Sequence, residues 1–124
     1  HASADHAGMP RPIVPATLSI GQRRHAASRA WRVRRFPFTD EYYDFDRNPR
    51  ATARVLLTVA ATDLVDTTMG SDHPIAWIRR VGRGRVFYTN LGHQRETWAD
   101  PRFRAHLLAG IRWAARRAPA RRGR

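Results

Sequence analysis

Asp100 followed by Pro101 fixes the start of a helix, and that helix needs something to cover it. A short carboxylate at the cap and a proline in the first turn are a strong start signal. Phe103, Leu107, Leu108, Ile111, Ala114 and Ala115 then recur at helical spacing and predict one apolar face. The pattern fades at residues 116–118, before Pro119. A one-faced helix of this length is stable mainly through packing, so the rest of the chain has to supply an apolar surface.

Three short runs offer that surface. Arg54-Val55-Leu56-Leu57-Thr58-Val59 is β-rich and apolar, as a buried strand requires. Ile75-Ala76-Trp77-Ile78 and Val86-Phe87-Tyr88-Thr89 flank Val81-Gly82-Arg83-Gly84-Arg85, whose glycines permit positive φ, and together they predict a β-hairpin. Residues 60–72 read as a connection rich in Thr, Asp and Gly. One strand, one hairpin and one helix make a thin core, which implies that part of a larger architecture is missing.

Charge divides the chain in three. The net charge is +13 and every basic residue outside histidine is arginine. Residues 6–39 hold seven arginines and no acid, and residues 116–124 hold five arginines and no acid. Between Asp40 and Ala115 eleven arginines face nine acids, so the patterned part is nearly balanced. Residues 1–38, broken by Gly8, Pro10, Pro12 and Pro15, are expected to be divergent or weakly ordered. Residues 39–115 are expected to fold, and residues 116–124 to form a basic tail. There is no cysteine, so disulfides, thiolate ligands and a cysteine nucleophile are all excluded. No apolar run reaches membrane-spanning length, so no membrane partner is expected. No signal-peptide pattern is present, but the chain opens at His1 and the true N-terminus is expected to be missing, so that absence carries little; the expectation for location is cytoplasmic.

Three ordered segments resemble a known family. They are Thr39-Asp40-Glu41-Tyr42-Tyr43-Asp44-Phe45, then Met69-Gly70-Ser71-Asp72-His73-Pro74-Ile75-Ala76-Trp77, then Gly82 to Thr89 with Leu91-Gly92-His93. The last continues through Trp98, Asp100-Pro101-Arg102-Phe103, His106-Leu107-Leu108 and Gly110-Ile111-Arg112-Trp113-Ala114. This set resembles the ThuA-like (trehalose utilisation) domains, relatives of the class I glutamine amidotransferases. The resemblance implies an α/β fold: a partial flavodoxin-like, three-layer, doubly wound sheet, truncated on its N-terminal side and lacking most of its parallel strands. His1-Ala2-Ser3-Ala4-Asp5 is similar to the family's glycine-x-His-Ala-Ala elbow, which would put His1 where the amidotransferases carry their nucleophile. Residues 7–38 do not match the tryptophan-rich loop and strand that the family shows there. Their lack of acids and of periodicity fits divergence or a reading-frame error.

The resemblance sets His93 near the position of the amidotransferases' catalytic histidine, where an imidazole acts as acid or base near neutral pH. The plainer reading is a histidine that orients a loop. Asp40 and Glu41 are adjacent carboxylates; in an extended chain they point to opposite faces and cannot act as a pair on one ligand. One of them lines a site with Tyr43, or both belong to an acidic loop tip. Asp72, His73 and Trp77 are further candidates for binding a sugar. A metal site built from Asp72, His73 and His93 lacks any ligand spacing and is disfavoured. His106 reads as a boundary residue of the helix, and Trp77, Trp98 and Trp113 as core or rim aromatics.

The leading functional expectation is a carbohydrate-active domain using trehalose or a related, oxidised disaccharide. His93 and Glu41 would do acid-base work, with His1 nearby and no cofactor specified. Two alternatives stand beside it. One is an inactive fragment, self-associating through open sheet edges. The other is non-specific nucleic-acid binding through the arginine-rich flanks.

Overall fold

A computed structural model describes residues 11–116. Five strands form one sheet: β1 (Ile13–Ile20), β2 (Arg35–Glu41), β3 (Arg54–Val59), β4 (Pro74–Val81) and β5 (Gly84–Thr89), in the order β2-β1-β3-β4-β5. Three helices accompany them: α1 (Ala26–Arg29), α2 (Arg95–Ala99) and α3 (Pro101–Ala115). Every strand pair is antiparallel. The fold is mixed α/β as expected; the described residues contain none of the parallel β-α units of a doubly wound sheet and do not confirm the flavodoxin-like layering.

Residues 1–10 lie outside the described residues, and the expectation of weak order does not hold for residues 11–38. β1, α1 and most of β2 lie there. Their apolar residues alternate: Ala16 and Leu18 on β1 and Phe36 and Phe38 on β2 are buried, and Leu18 stands opposite Phe36 and Ala16 opposite Phe38. Trp31 is fully buried, stacked on Phe36 at 4.6 Å and edge-on to Phe38 at 5.3 Å. Truncating so large a buried ring costs on the order of 3–5 kcal/mol, so this stretch is part of the core. The prolines are tolerated by position. Pro37 lies on the edge strand β2. Pro15 lies beyond the part of β1 that pairs with β3, namely Leu18 to Ile20, so its missing N–H breaks no bond to β3.

The strands expected from the sequence form as read. β4 and β5 make a hairpin in which Val81 pairs with Gly84 around Gly82-Arg83. Of the two glycines only Gly82, with φ of 59°, uses the left-handed region. The helix also starts where expected: the Asp100 side chain accepts the N–H of Arg102, and Pro101 opens the first turn.

The buried stripe of α3 differs from the expected one. Phe103, His106 and Gly110 are buried, whereas Leu108 and Ile111 are 46% and 52% exposed. His106 fits inside because both ring nitrogens are satisfied, Nδ1 against the Ala27 carbonyl at 2.9 Å and Nε2 against the Thr89 hydroxyl at 3.0 Å. Gly110 lets the helix backbone approach the Phe87 ring. α1 and α3 thus cover one face of the sheet. Phe45, from the segment after β2, packs on the other against Trp77 and Tyr88, which are themselves stacked at 4.3 Å. No helix among the described residues is long and apolar enough to cross a membrane.

Candidate functional site

The ends of β2 and β5 and the start of β4 meet at one end of the sheet, because Asn90 ties them together. Its backbone N–H donates to Ile75, its side-chain N–H to the Glu41 carbonyl at 2.6 Å, and its side-chain carbonyl accepts the Tyr43 N–H at 2.9 Å. β2 and β5 are opposite edges of the sheet, and this amide bridges them.

Asp40 is fully buried. Its carboxylate accepts four hydrogen bonds: from the N–H of Glu41 at 2.8 Å, of Gly92 at 3.0 Å and of His93 at 3.2 Å, and from the Thr97 hydroxyl at 3.0 Å. It is a clamp on the loop after β5, with no lone pair turned to solvent.

Glu41, one residue on, points to the other face. Its Oε1 lies 2.8 Å from Nδ1 of His93 and accepts the Tyr43 hydroxyl at 2.9 Å, while Oε2 accepts the Arg11 N–H at 2.8 Å. The Glu41 side chain is 4% exposed and that of His93 44%. With Nδ1 donating to the carboxylate, Nε2 of the neutral ring is left with its lone pair outward. Burial, followed by the bond to Glu41 and its charge, pushes the Tyr43 phenol up to about 12, so it remains a donor across the neutral range.

Asp44 anchors a second network behind this one. It accepts the Thr68 N–H at 2.7 Å and the hydroxyls of Thr67 at 2.9 Å and Thr68 at 3.0 Å, and it pairs with Arg11 at 3.1 Å. Burial alone would raise its carboxyl, but these donors together hold it below the usual range. His73 is fully buried beside it, with Nε2 on the Tyr43 carbonyl at 2.7 Å. Burial pushes its imidazole below the ordinary value.

The structure therefore brings together Glu41, Tyr43 and His93, with Asp40 and His73 directly behind them. Two sequence candidates stand apart. Asp72 is half-exposed and held bidentately by Arg50 at 2.7 and 2.9 Å. Trp77 is packed between Phe45 and Tyr88. His1 lies outside the described residues. No group of three His, Asp or Glu among the described residues is arranged to hold a metal. Asn90, Thr97, Asp44 and Arg11 were not singled out from the sequence. Asp44 lay inside the quoted Thr39–Phe45 segment and was legible there, whereas Asn90 and Arg11 carry no local signal.

A groove of about 330 Å³ runs beside the loop, lined by Thr39, Gln94, Thr97 and Arg102 among others. Neither Glu41 nor His93 lines it, and the His93 ring stands at the surface. A separate cavity at the far end of the sheet is lined by arginines and shares no residue with this cluster.

A family model described as "ThuA: Trehalose utilisation" matches residues 2–114. The match runs through residues 7–38, which carry none of the quoted segments and were expected not to match. No curated protein and no solved structure matches the chain.

Proposed function

The chain belongs to the trehalose utilisation family, ThuA, and we propose that it binds and transforms a disaccharide, trehalose or an oxidised relative, beside Glu41 and His93. The observation that carries this reading is the contact of 2.8 Å between Oε1 of Glu41 and Nδ1 of His93. A buried carboxylate that fixes one nitrogen of an exposed imidazole leaves the other free to take and return a proton. Tyr43 holds the carboxylate in place and keeps a hydroxyl next to it. No cysteine is present, so the chemistry is proton transfer and not thiolate attack. Asp40 positions the loop that carries His93.

The test is thermal unfolding and turnover of the purified chain with trehalose and with a keto-disaccharide, for the native sequence, His93→Ala and Glu41→Gln. Ligand binding should raise the midpoint of the native chain. Both variants should fold, and both should lose turnover. Unchanged turnover in both would end the proposal, and the lack of any cooperative transition in the native chain would favour the inactive-fragment reading instead.

A further inference from the structure

At the far end of the sheet, the register gathers like charges. Arg54 stands opposite Ile78, Ile78 opposite Phe87, and Arg80 opposite Arg85. Residues opposite one another share a face, as do alternate residues along a strand. Arg54, Arg80 and Arg85 therefore lie side by side on three neighbouring strands, on the face that α3 covers. Arg85 is held over the Trp113 ring at 5.0 Å.

Arg54 and Arg80 border a cavity of about 390 Å³, lined also by His25, Arg50, Thr52 and Arg79, with Ile78 and Trp113 supplying apolar wall. No carboxylate lines it. Arg50 is neutralised by Asp72 outside the cavity, and Arg54 donates to the uncharged Gln22 side chain at 2.8 Å. Arg79 and Arg80 have no side-chain partner among the described residues.

Two groups register the resulting positive field. His25 is pushed below its ordinary value by burial and then by the charges of Arg54 and Arg29. Arg85 is pushed down by desolvation and then by Arg80 and Arg116. Like charges directly across a sheet oppose folding, so an anion seated among them would relieve a cost that the bare chain carries.

We propose that this cavity binds a phosphate dianion, either as the monoester of a small sugar or as the free ion. Guanidinium groups match the tetrahedral oxyanion with forked, charge-assisted hydrogen bonds. The two unneutralised arginines that line the cavity on this face, Arg54 and Arg80, match the two negative charges of the dianion. The volume exceeds what a bare ion fills and leaves room for a polyol against Ile78 and Trp113. The site is independent of the Glu41–His93 reading and uses none of its residues.

The experiment is isothermal titration of the full chain with glucose 6-phosphate, inorganic phosphate, gluconate and glucose at fixed ionic strength. It compares the native sequence with Arg54→Gln/Arg80→Gln and with Arg95→Gln/Arg104→Gln, a charge-matched control at the other end of the molecule. The first double variant should weaken phosphate binding by at least about tenfold. The control should leave it within about twofold, and glucose should not bind in either case. Unliganded melting of the Arg54→Gln/Arg80→Gln chain should be unchanged or raised, which separates lost binding from lost fold. Tighter binding of the ester assigns a sugar phosphate, and equal binding assigns the free ion. Gluconate binding as tightly as both phosphates, an equal loss in the control, or no phosphate binding at millimolar concentration would each overturn the proposal.

Discussion

Asp40 and Glu41, neighbours on β2, hold the same residue from opposite faces of the sheet: Asp40 takes the backbone N–H of His93 at 3.2 Å and Glu41 takes its ring at 2.8 Å. The alternation of a strand, which forbids the two carboxylates from gripping one ligand as a pair, here divides their work. One builds the loop and the other addresses the imidazole.

That division predicts separable phenotypes. Asp40→Ala leaves the N–H groups of Gly92 and His93 and the Thr97 hydroxyl without their acceptor in a fully buried place. It should cost about 3 kcal/mol of stability, measured by urea unfolding. Glu41→Gln keeps a hydrogen-bonding group of the same shape and should cost less than about 1.5 kcal/mol while removing turnover. If the two substitutions lost stability and activity in the same proportion, the division of roles would be wrong.

The tyrosines predict the alkaline limit. All three are held above their ordinary value: Tyr42 by burial and then by the charge of Asp40, Tyr88 by burial, and Tyr43 by burial and then by Glu41. A folded value above the unfolded 10.0 means that the contribution to stability is whole below pH 10 and is lost as pH rises toward and through the folded value, about 12 for Tyr43. Tyrosinate absorbance should therefore appear late and together with unfolding. Tyr43→Phe should remove part of this pH dependence. Early titration of all three phenols in a chain that stays folded would contradict the described hydrogen bonds and packing.

His106 predicts the acid limit. Its imidazole is pushed down to about 4, first by burial, against a counteracting bond to the Ala27 carbonyl. The neutral ring is favoured in the fold, so the unfolded chain binds the extra proton between the ordinary value of 6.5 and about 4. Stability from this group is complete above about pH 6.5 and falls as pH drops through that window. His25 and His73 act in the same direction. His106→Gln should lower stability at pH 7 by about 1–3 kcal/mol, since it loses packing against Trp31 and Phe87. It should also flatten the dependence between pH 6.5 and 4. Urea midpoints across that range decide it, and an unflattened curve would remove His106 as the cause.

What could be read from the sequence was what local pattern encodes. α3 announced itself by Asp100-Pro101, and β3, β4 and β5 by β-branched and aromatic runs around Gly82. β1 is hidden because Pro15 reads as a breaker, although it lies outside the part of β1 that pairs with β3; on β2, Pro37 is tolerated at the sheet edge. The alternation of Ala16 and Leu18 about Thr17 and of Phe36 and Phe38 about Pro37 is present in the sequence, but each run is only three residues long. Within the site, Glu41, Tyr43 and His93 were found through the quoted segments. Asn90 was not, because it works by joining positions 47 and 49 residues away, which no local pattern records. The buried stripe of α3 was misjudged for a related reason. Hydrophobicity ranks Leu108 and Ile111 above His106 and Gly110, but the sheet selects for hydrogen-bond partners and close approach.

Gly110 tests that last point directly. In an exposed helix interior, Gly→Ala stabilises by about 1 kcal/mol, through reduced backbone freedom in the unfolded chain. Here a methyl group built on Gly110 would clash with three carbons of the Phe87 ring. That ring is packed edge-on to His106 at 5.4 Å, which limits its retreat toward the helix. Either α3 lifts from β5 or Phe87 turns out toward solvent, and both give up buried area. Overpacking of this kind costs about 1–3 kcal/mol, which outweighs the propensity gain. Gly110→Ala should therefore be destabilising by urea unfolding, and the double variant Gly110→Ala/Phe87→Leu should recover part of the loss. A stabilised Gly110→Ala chain would mean that α3 does not sit on β5 as described.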